Sequence, residues 1–138
     1  MMIRVKSKIG DMESLFPAAE AFSKASGCGL LLLGTGAVAS ERHLLVCRHL
    51  AERAFAEKRN IAKSLKNETL LFVAATMKID TAIGRAGVKD PSDLTVFALG
   101  ECKKREVLEA LEARELPIKF AGNELRAIER SALSRIKE

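Results

Sequence analysis

Residues 27–58 read G-C-G-L-L-L-L-G-T-G-A-V-A-S-E-R-H-L-L-V-C-R-H-L-A-E-R-A-F-A-E-K. Leu30 to Leu33 form an unbroken apolar run with Gly29 before it and Gly34 after it. A run this short between glycines predicts a strand covered on both faces rather than a helix. Ser40 then offers a side-chain oxygen to the first free amides of a helix. Beyond it, Leu44, Cys47, Ala51, Ala54 and Phe55 recur on one stripe of a helix predicted over 41–58. A buried strand leading into an amphipathic helix points to an α/β or α+β arrangement.

The same reading extends in both directions. Ile3 and Val5 alternate with Arg4 and Lys6, which predicts a strand over 3–8 with one wet, basic face. Asp11 can cap a helix reaching to about Ser26, with Met12, Leu15, Ala19 and Phe22 on its apolar stripe. Pro17 has no amide to donate, so a late or irregular start is expected for that helix. Downstream, Leu70, Leu71, Val73 and Ala74 predict a helix over 66–75. Ile79, Ala82 and Ile83 predict another over 78–86, closed by Gly87 as its C-terminal glycine. Asp90-Pro91-Ser92-Asp93 is a turn, and 94–99 a strand. A charged helix over 103–115, a short strand over 116–120 and a last helix capped by Asn123 complete the chain. The expected fold is α/β (α+β): a single domain spanning 1–138, with a small mixed sheet packed against a cluster of helices.

Composition narrows the function. Of 138 residues, 48% are hydrophobic, enough to build a core without staples. The net charge is +5, and residues 41–66 carry +4 of it through Arg42, Arg48, Arg53, Lys58, Arg59, Lys63 and Lys66 against Glu41, Glu52 and Glu57. Such a local excess suits an anionic partner better than the overall charge does. The three cysteines, Cys28, Cys47 and Cys102, are odd in number and form no CxxC. A disulfide framework is therefore not expected and a reducing compartment is, with Cys28 and Cys47, in apolar surroundings, expected to be packing thiols. No apolar stretch resembles a signal peptide or spans a bilayer, so a soluble, cytoplasmic protein with no membrane partner is expected.

Catalytic constellations are scarce. Gly34-Thr35-Gly36-Ala37-Val38-Ala39 fits the dinucleotide pattern GxGxxG/A, but the helix begins after the motif, at Ser40, and no strand follows until Leu94. His43 and His49 lie six residues apart, about 600° of helical rotation, so they cannot readily share a metal. A Cys47/His43 pair is geometrically possible at i, i+4, yet Cys47 sits on the apolar stripe, where a thiolate is disfavoured. No catalytic residue, metal or cofactor is assigned. With six Phe and no Trp or Tyr, an aromatic stacking platform is also not expected.

Residues 40–87 nevertheless carry a specific pattern: Ser40, His43 and Leu44 opening a helix with Ala51 and Ala54; then Asn60, Ile61, Ala62 and Ser64; then Glu68, Leu70 and Leu71; then Ile79, Ala82, Ile83 and Gly87, with Val88 just beyond. This pattern resembles the PRPK-binding-protein family, the smallest long-known subunit of the KEOPS complex that threonylcarbamoylates tRNA, in its archaeal form. The chain departs from that family at Ala74-Ala75-Thr76-Met77-Lys78-Ile79, where relatives often carry S-G-x-x-Q-I, and so lacks the polar Ser and Gln contacts.

The resemblance implies a subunit with no catalysis of its own. It would bind the N-lobe of the atypical kinase subunit and the 3′ CCA end of tRNA, acting only indirectly with the threonylcarbamoyl transferase subunit. On that reading Lys58, Arg59, Lys63, Lys78 and Arg85 meet phosphates, while Thr76, Ile79 and Ile83 receive a terminal base. Leu125, Ile128, Leu133 and Ile136 of the last helix would face the kinase. The alternatives are a regulator of the kinase that makes no RNA contact and a small-ligand enzyme using the Gly34–Ala39 loop.

Overall fold

The computed structural model describes residues 1–118 and 122–136. Its elements in chain order are β1 (Met2–Ser7), α1 (Met12–Ser26), β2 (Leu30–Gly34), a 3-10 turn (Thr35–Ala37), α2 (Glu41–Ala56), α3 (Leu65–Ala74), α4 (Ile79–Ala86), β3 (Leu94–Ala98), α5 (Lys104–Ala110), β4 (Ala113–Leu116) and α6 (Glu124–Leu133). They gather into two compact units, each assembled from two separate stretches: residues 1–35 with 88–118, and residues 36–87 with 122–136. The first unit holds all four strands and the second only helices of any length, and the class is α+β.

In the first unit the strands lie in the order β2-β3-β1-β4, and every pairing is antiparallel. The expected mixed sheet is therefore not formed. The reason is topological: β1 and β2, joined through α1, are not neighbours, because β3 enters between them and runs against both. Side chains alternate across the pleat. Ile3 and Val5, Leu30 and Leu32, and Leu94, Val96 and Ala98 share one core with Leu15 and Ala19 of α1 and Val107 of α5. All four leucines of β2 are buried, as the apolar run predicts. Outside this core, Arg4 grips Asp93 with Nε and Nη2, both at 2.8 Å, while Thr35 Oγ1 donates to the same carboxylate at 2.9 Å.

Four local expectations are corrected. Pro17 lies inside α1, which starts at Met12 with Asp11 accepting from the Ser14 amide at 2.8 Å. Pro17 is exposed, so water can serve the one carbonyl it leaves without a donor. The charged helix is much shorter than 103–115. It stops at Ala110, Glu112 turns the chain with φ 48°, and residues 113–116 become the edge strand β4. The strand expected over 116–120 is thus displaced toward the N-terminus, and 119–120 lie outside the described residues. Cys28 and Cys102 form a disulfide with Cα atoms 6.0 Å apart, against the expectation of isolated thiols. They are 74 residues apart in sequence, and the β2–β3 pairing, extended by the Leu99 amide donating to Gly29 O, brings them together.

The fourth correction concerns Gly87. It does not take the left-handed conformation, with φ −67° and ψ 152°. A Cβ there would instead lie 2.5 Å from the Ile83 carbonyl oxygen, so glycine is required by close approach. At Gly84, inside the same helix, an added Cβ meets nothing within 4 Å. Gly87→Ala is accordingly expected to destabilise the protein by about 1–3 kcal/mol through forced displacement. Gly84→Ala is expected to stabilise it by about 0.5–1 kcal/mol through reduced unfolded-state freedom. Chemical denaturation of the two variants checks both signs.

Candidate functional site

The second unit contains every candidate residue of the tRNA and kinase readings. In it α2 packs on α3 and α6, and α3 packs on α4 and α6. Its organising group is Glu68, in the first turn of α3 and fully buried. One oxygen accepts from the Ile61 amide at 3.1 Å and the Ala62 amide at 2.9 Å; the other accepts from Arg135 Nη1 at 2.6 Å. Asn60 Nδ2 donates to Ala62 O at 2.9 Å, and Ser64 caps α3 by accepting from the Asn67 amide at 3.2 Å. The run Asn60-Ile61-Ala62-Lys63-Ser64 thereby acquires a physical meaning as a loop folded around one carboxylate. Burial alone pushes the Glu68 carboxyl up, but the hydrogen bonds from Arg135, Ala62 and Ile61 and the guanidinium charge outweigh it and hold it below its ordinary value. The Arg135 guanidinium also lies 4.2 Å over the Phe72 ring.

This loop carries Lys58, Arg59 and Lys63, all exposed. Lys58 takes a left-handed conformation with φ 58°, and Arg59 Nη2 pairs with Glu57 at 2.9 Å. Arg48 and Arg53 of α2 are likewise paired, with Glu52 and Glu57. These pairs use only acids already counted in the +4 of residues 41–66, so the basic excess remains.

The remaining candidates cluster at the α3–α4 corner. Ala75 ends α3 in the left-handed region, Thr76 Oγ1 accepts from the Lys78 amide at 3.3 Å, and Arg85 Nη1 reaches back to Ala74 O at 3.4 Å. Thr76, Lys78 and Arg85 thus converge on one corner. Ile79 and Ile83 are not core residues: they are 39% and 54% exposed, while Ala82 and Ala86 face inward. The structure does not merge the loop cations with this corner. They sit at the opposite end of α3, about 15 Å away along a ten-residue helix.

The apolar residues Leu125, Leu133 and Ile136 point outward, with Leu125 72% and Ile136 70% exposed, and Ile128 is only half-buried. The inward residue is Ser131, whose Oγ lies 3.4 Å from both His43 Nε2 and the Cys47 thiol, which donates to it. Burial pushes the Cys47 thiol up to about 12 despite that hydrogen bond. Burial and the Arg130 charge push His43 below its ordinary value, with Glu124 opposing. A thiolate–imidazolium pair is disfavoured here, and the trio joins α6 to α2. His49 lies on the exposed side of α2, away from buried His43. Among the described residues no group of three or more His, Cys, Asp or Glu is placed to hold a metal.

Sequence reasoning missed the roles of Glu68, Arg135 and Ser131. Serine on an amphipathic helix reads as solvent-facing, and an acid–base pair 67 residues apart leaves no periodic trace. In comparisons with known proteins the chain matches neither a family model nor a curated sequence.

Glu68→Ala leaves a largely buried guanidinium and two loop amides without their acceptor, and is expected to cost about 3–5 kcal/mol. Because the folded carboxyl lies below its ordinary value of 4.5, its contribution is present above that pH and lost as pH falls further. Melting curves across the acid range should show Glu68→Gln to be less pH-dependent there than the wild type.

Proposed function

We propose that this chain is a non-catalytic subunit of the PRPK-binding-protein type, cytoplasmic, which docks on an atypical kinase subunit and binds the 3′ CCA end of tRNA, supporting threonylcarbamoyladenosine formation by a separate transferase. The observation that carries this reading is the outward-facing Ile79/Ile83 stripe of α4, bordered by Thr76, Lys78 and Arg85. Apolar side chains for a base and cations for phosphates then stand side by side. The second surface, toward the kinase, is formed by the exposed Leu125 and Leu133 of α6 with Ile136 just beyond it.

A regulator without RNA contact is the second reading. It is favoured by the pairing of Arg59 with Glu57, which engages one of the proposed phosphate contacts, while Leu125 and Leu133 of α6 remain exposed.

Ile79→Glu separates the two. It is expected to abolish binding of a CCA-ended oligonucleotide while changing stability by no more than about 0.5 kcal/mol, as befits a surface position. Filter binding with intact and CCA-truncated tRNA reads the first effect and a melting curve the second. Equal affinity of wild type and variant for both RNAs removes the RNA role and leaves the regulator.

The kinase surface has its own test. Leu133→Arg is expected to leave the protein folded and to weaken kinase binding by about 2 kcal/mol or more. Titration calorimetry with the purified kinase checks it, and wild-type affinity would move the docking surface off α6.

A further inference from the structure

The strand order β2-β3-β1-β4 makes β4 an edge, with β1 on one side of it and no described strand on the other. The phase of the ladder decides which of its backbone groups are left over. The Lys8 amide donates to Glu112 O at 2.8 Å. In the same antiparallel register the hydrogen-bonded pairs are then Lys6 with Arg114 and Arg4 with Leu116. The amides and carbonyls of Ala113 and Glu115 therefore point away from β1, and none of them bonds to backbone among the described residues. Such a row is a template for one further strand.

The two sides of β4 differ in chemistry. Glu115 meets Lys104 of α5 at 3.1 Å and Ala113 packs on the core beneath α5, so both side chains lie on the α5 side. There β4 and α5 border a groove of about 1140 Å³ whose apolar lining is Leu108 and Ala113. That volume exceeds the roughly 300–1,000 Å³ of small-molecule pockets and suits a polymer segment better. Arg114 lies on the opposite side, with Lys6 directly across from it in β1 and both exposed. Arg114 forms no ion pair among the described residues, and Lys6 has only the more distant charge of Asp90. Like charges so placed repel, and a carboxylate on the free side of Arg114 would offset that repulsion.

A strand added to β4 meets these two sides in alternation. Every second side chain lies toward Leu108 and Ala113, and the one between them stands across from Arg114. In an antiparallel addition that pair is of the non-hydrogen-bonded kind, the closer of the two, with Cα atoms about 4.5 Å apart. A second copy of this chain fits poorly. The registers that keep the bonding phase and overlap β4 most set Arg114 against Arg114 or Glu115 against Glu115.

We propose that the free edge of β4 takes up an extended peptide segment of a partner protein, alternating apolar and acidic residues, as a further strand of the sheet. The backbone of Ala113 and Glu115 supplies the hydrogen bonds, the groove beside α5 receives the apolar side chains, and Arg114 selects the acidic one. The site is independent of the tRNA and kinase surfaces, whose residues belong to the other unit.

The probe is a short labelled peptide alternating valine and aspartate, compared on the intact protein with one alternating valine and lysine. Fluorescence anisotropy reads affinity, and hydrogen exchange followed by NMR reads the Ala113 and Glu115 amides. The aspartate peptide is expected to bind, to slow exchange at both amides, and to bind about tenfold more tightly than the lysine peptide. N-methylation at its valines, whose amides face β4 when aspartate stands across from Arg114, is expected to abolish binding. N-methylation at its aspartates is expected to be tolerated. Arg114→Glu should reverse the preference, and it keeps the fold because Lys6 then opposes a carboxylate. Absence of peptide binding, binding that leaves both amides exchanging freely, or an unaltered preference in the variant would overturn the proposal and leave Arg114 as a guard of the edge. Protection of those amides that rises with protein concentration alone would also overturn it and assign the edge to a second copy.

Discussion

The second unit depends on one buried carboxylate. An ionised glutamate out of contact with water is tolerated only when its oxygens are occupied, and Glu68 meets that condition with two loop amides and one guanidinium. Three parts of the chain are joined by this arrangement: the 57–64 connection, the start of α3, and the turn after α6. The shape of the basic loop is therefore not a property of the loop sequence alone. It is imposed by a side chain on the following helix and by an arginine near the end of the chain.

That constraint gives the proposed surfaces their character. The loop that carries Lys63 is held at two successive amides, which fixes its backbone. At the other end of α3, a left-handed Ala75 and the Thr76–Lys78 contact turn the chain so that α4 faces inward with alanines and outward with isoleucines. The Ser131 contact does the same for α6. A polar residue supplies the inward attachment, leaving the large apolar residues outside.

Much of the fold was legible because it rests on local signals. Asp11, Ser40, Ser64 and Asn123 each accept an amide in the first turn of the following helix, and the caps at Asp11, Ser40 and Asn123 could be anticipated from residue type. The stripe Leu44, Cys47, Ala51 and Ala54 is buried as its period requires. What escaped was set by distant partners. The boundary between α5 and β4 depends on pairing with β1, which overrides the helix-forming composition of Glu112-Ala113-Arg114-Glu115. The Cys28–Cys102 contact depends on β3 lying beside β2. At the candidate site, the isoleucines of α4 were identified as candidates, whereas their exposure and the role of Glu68 required tertiary contacts to see.

The most direct measurement of the central claim is hydrogen exchange on the intact protein, alone, with tRNA and with the kinase subunit. The account predicts slow exchange at the Ile61 and Ala62 amides in the free protein, because Glu68 holds them. It further predicts added protection across 57–64 and 76–86 with tRNA and across 124–136 with the kinase. Fast exchange at Ile61 and Ala62, or no change in these segments with either partner, would contradict it.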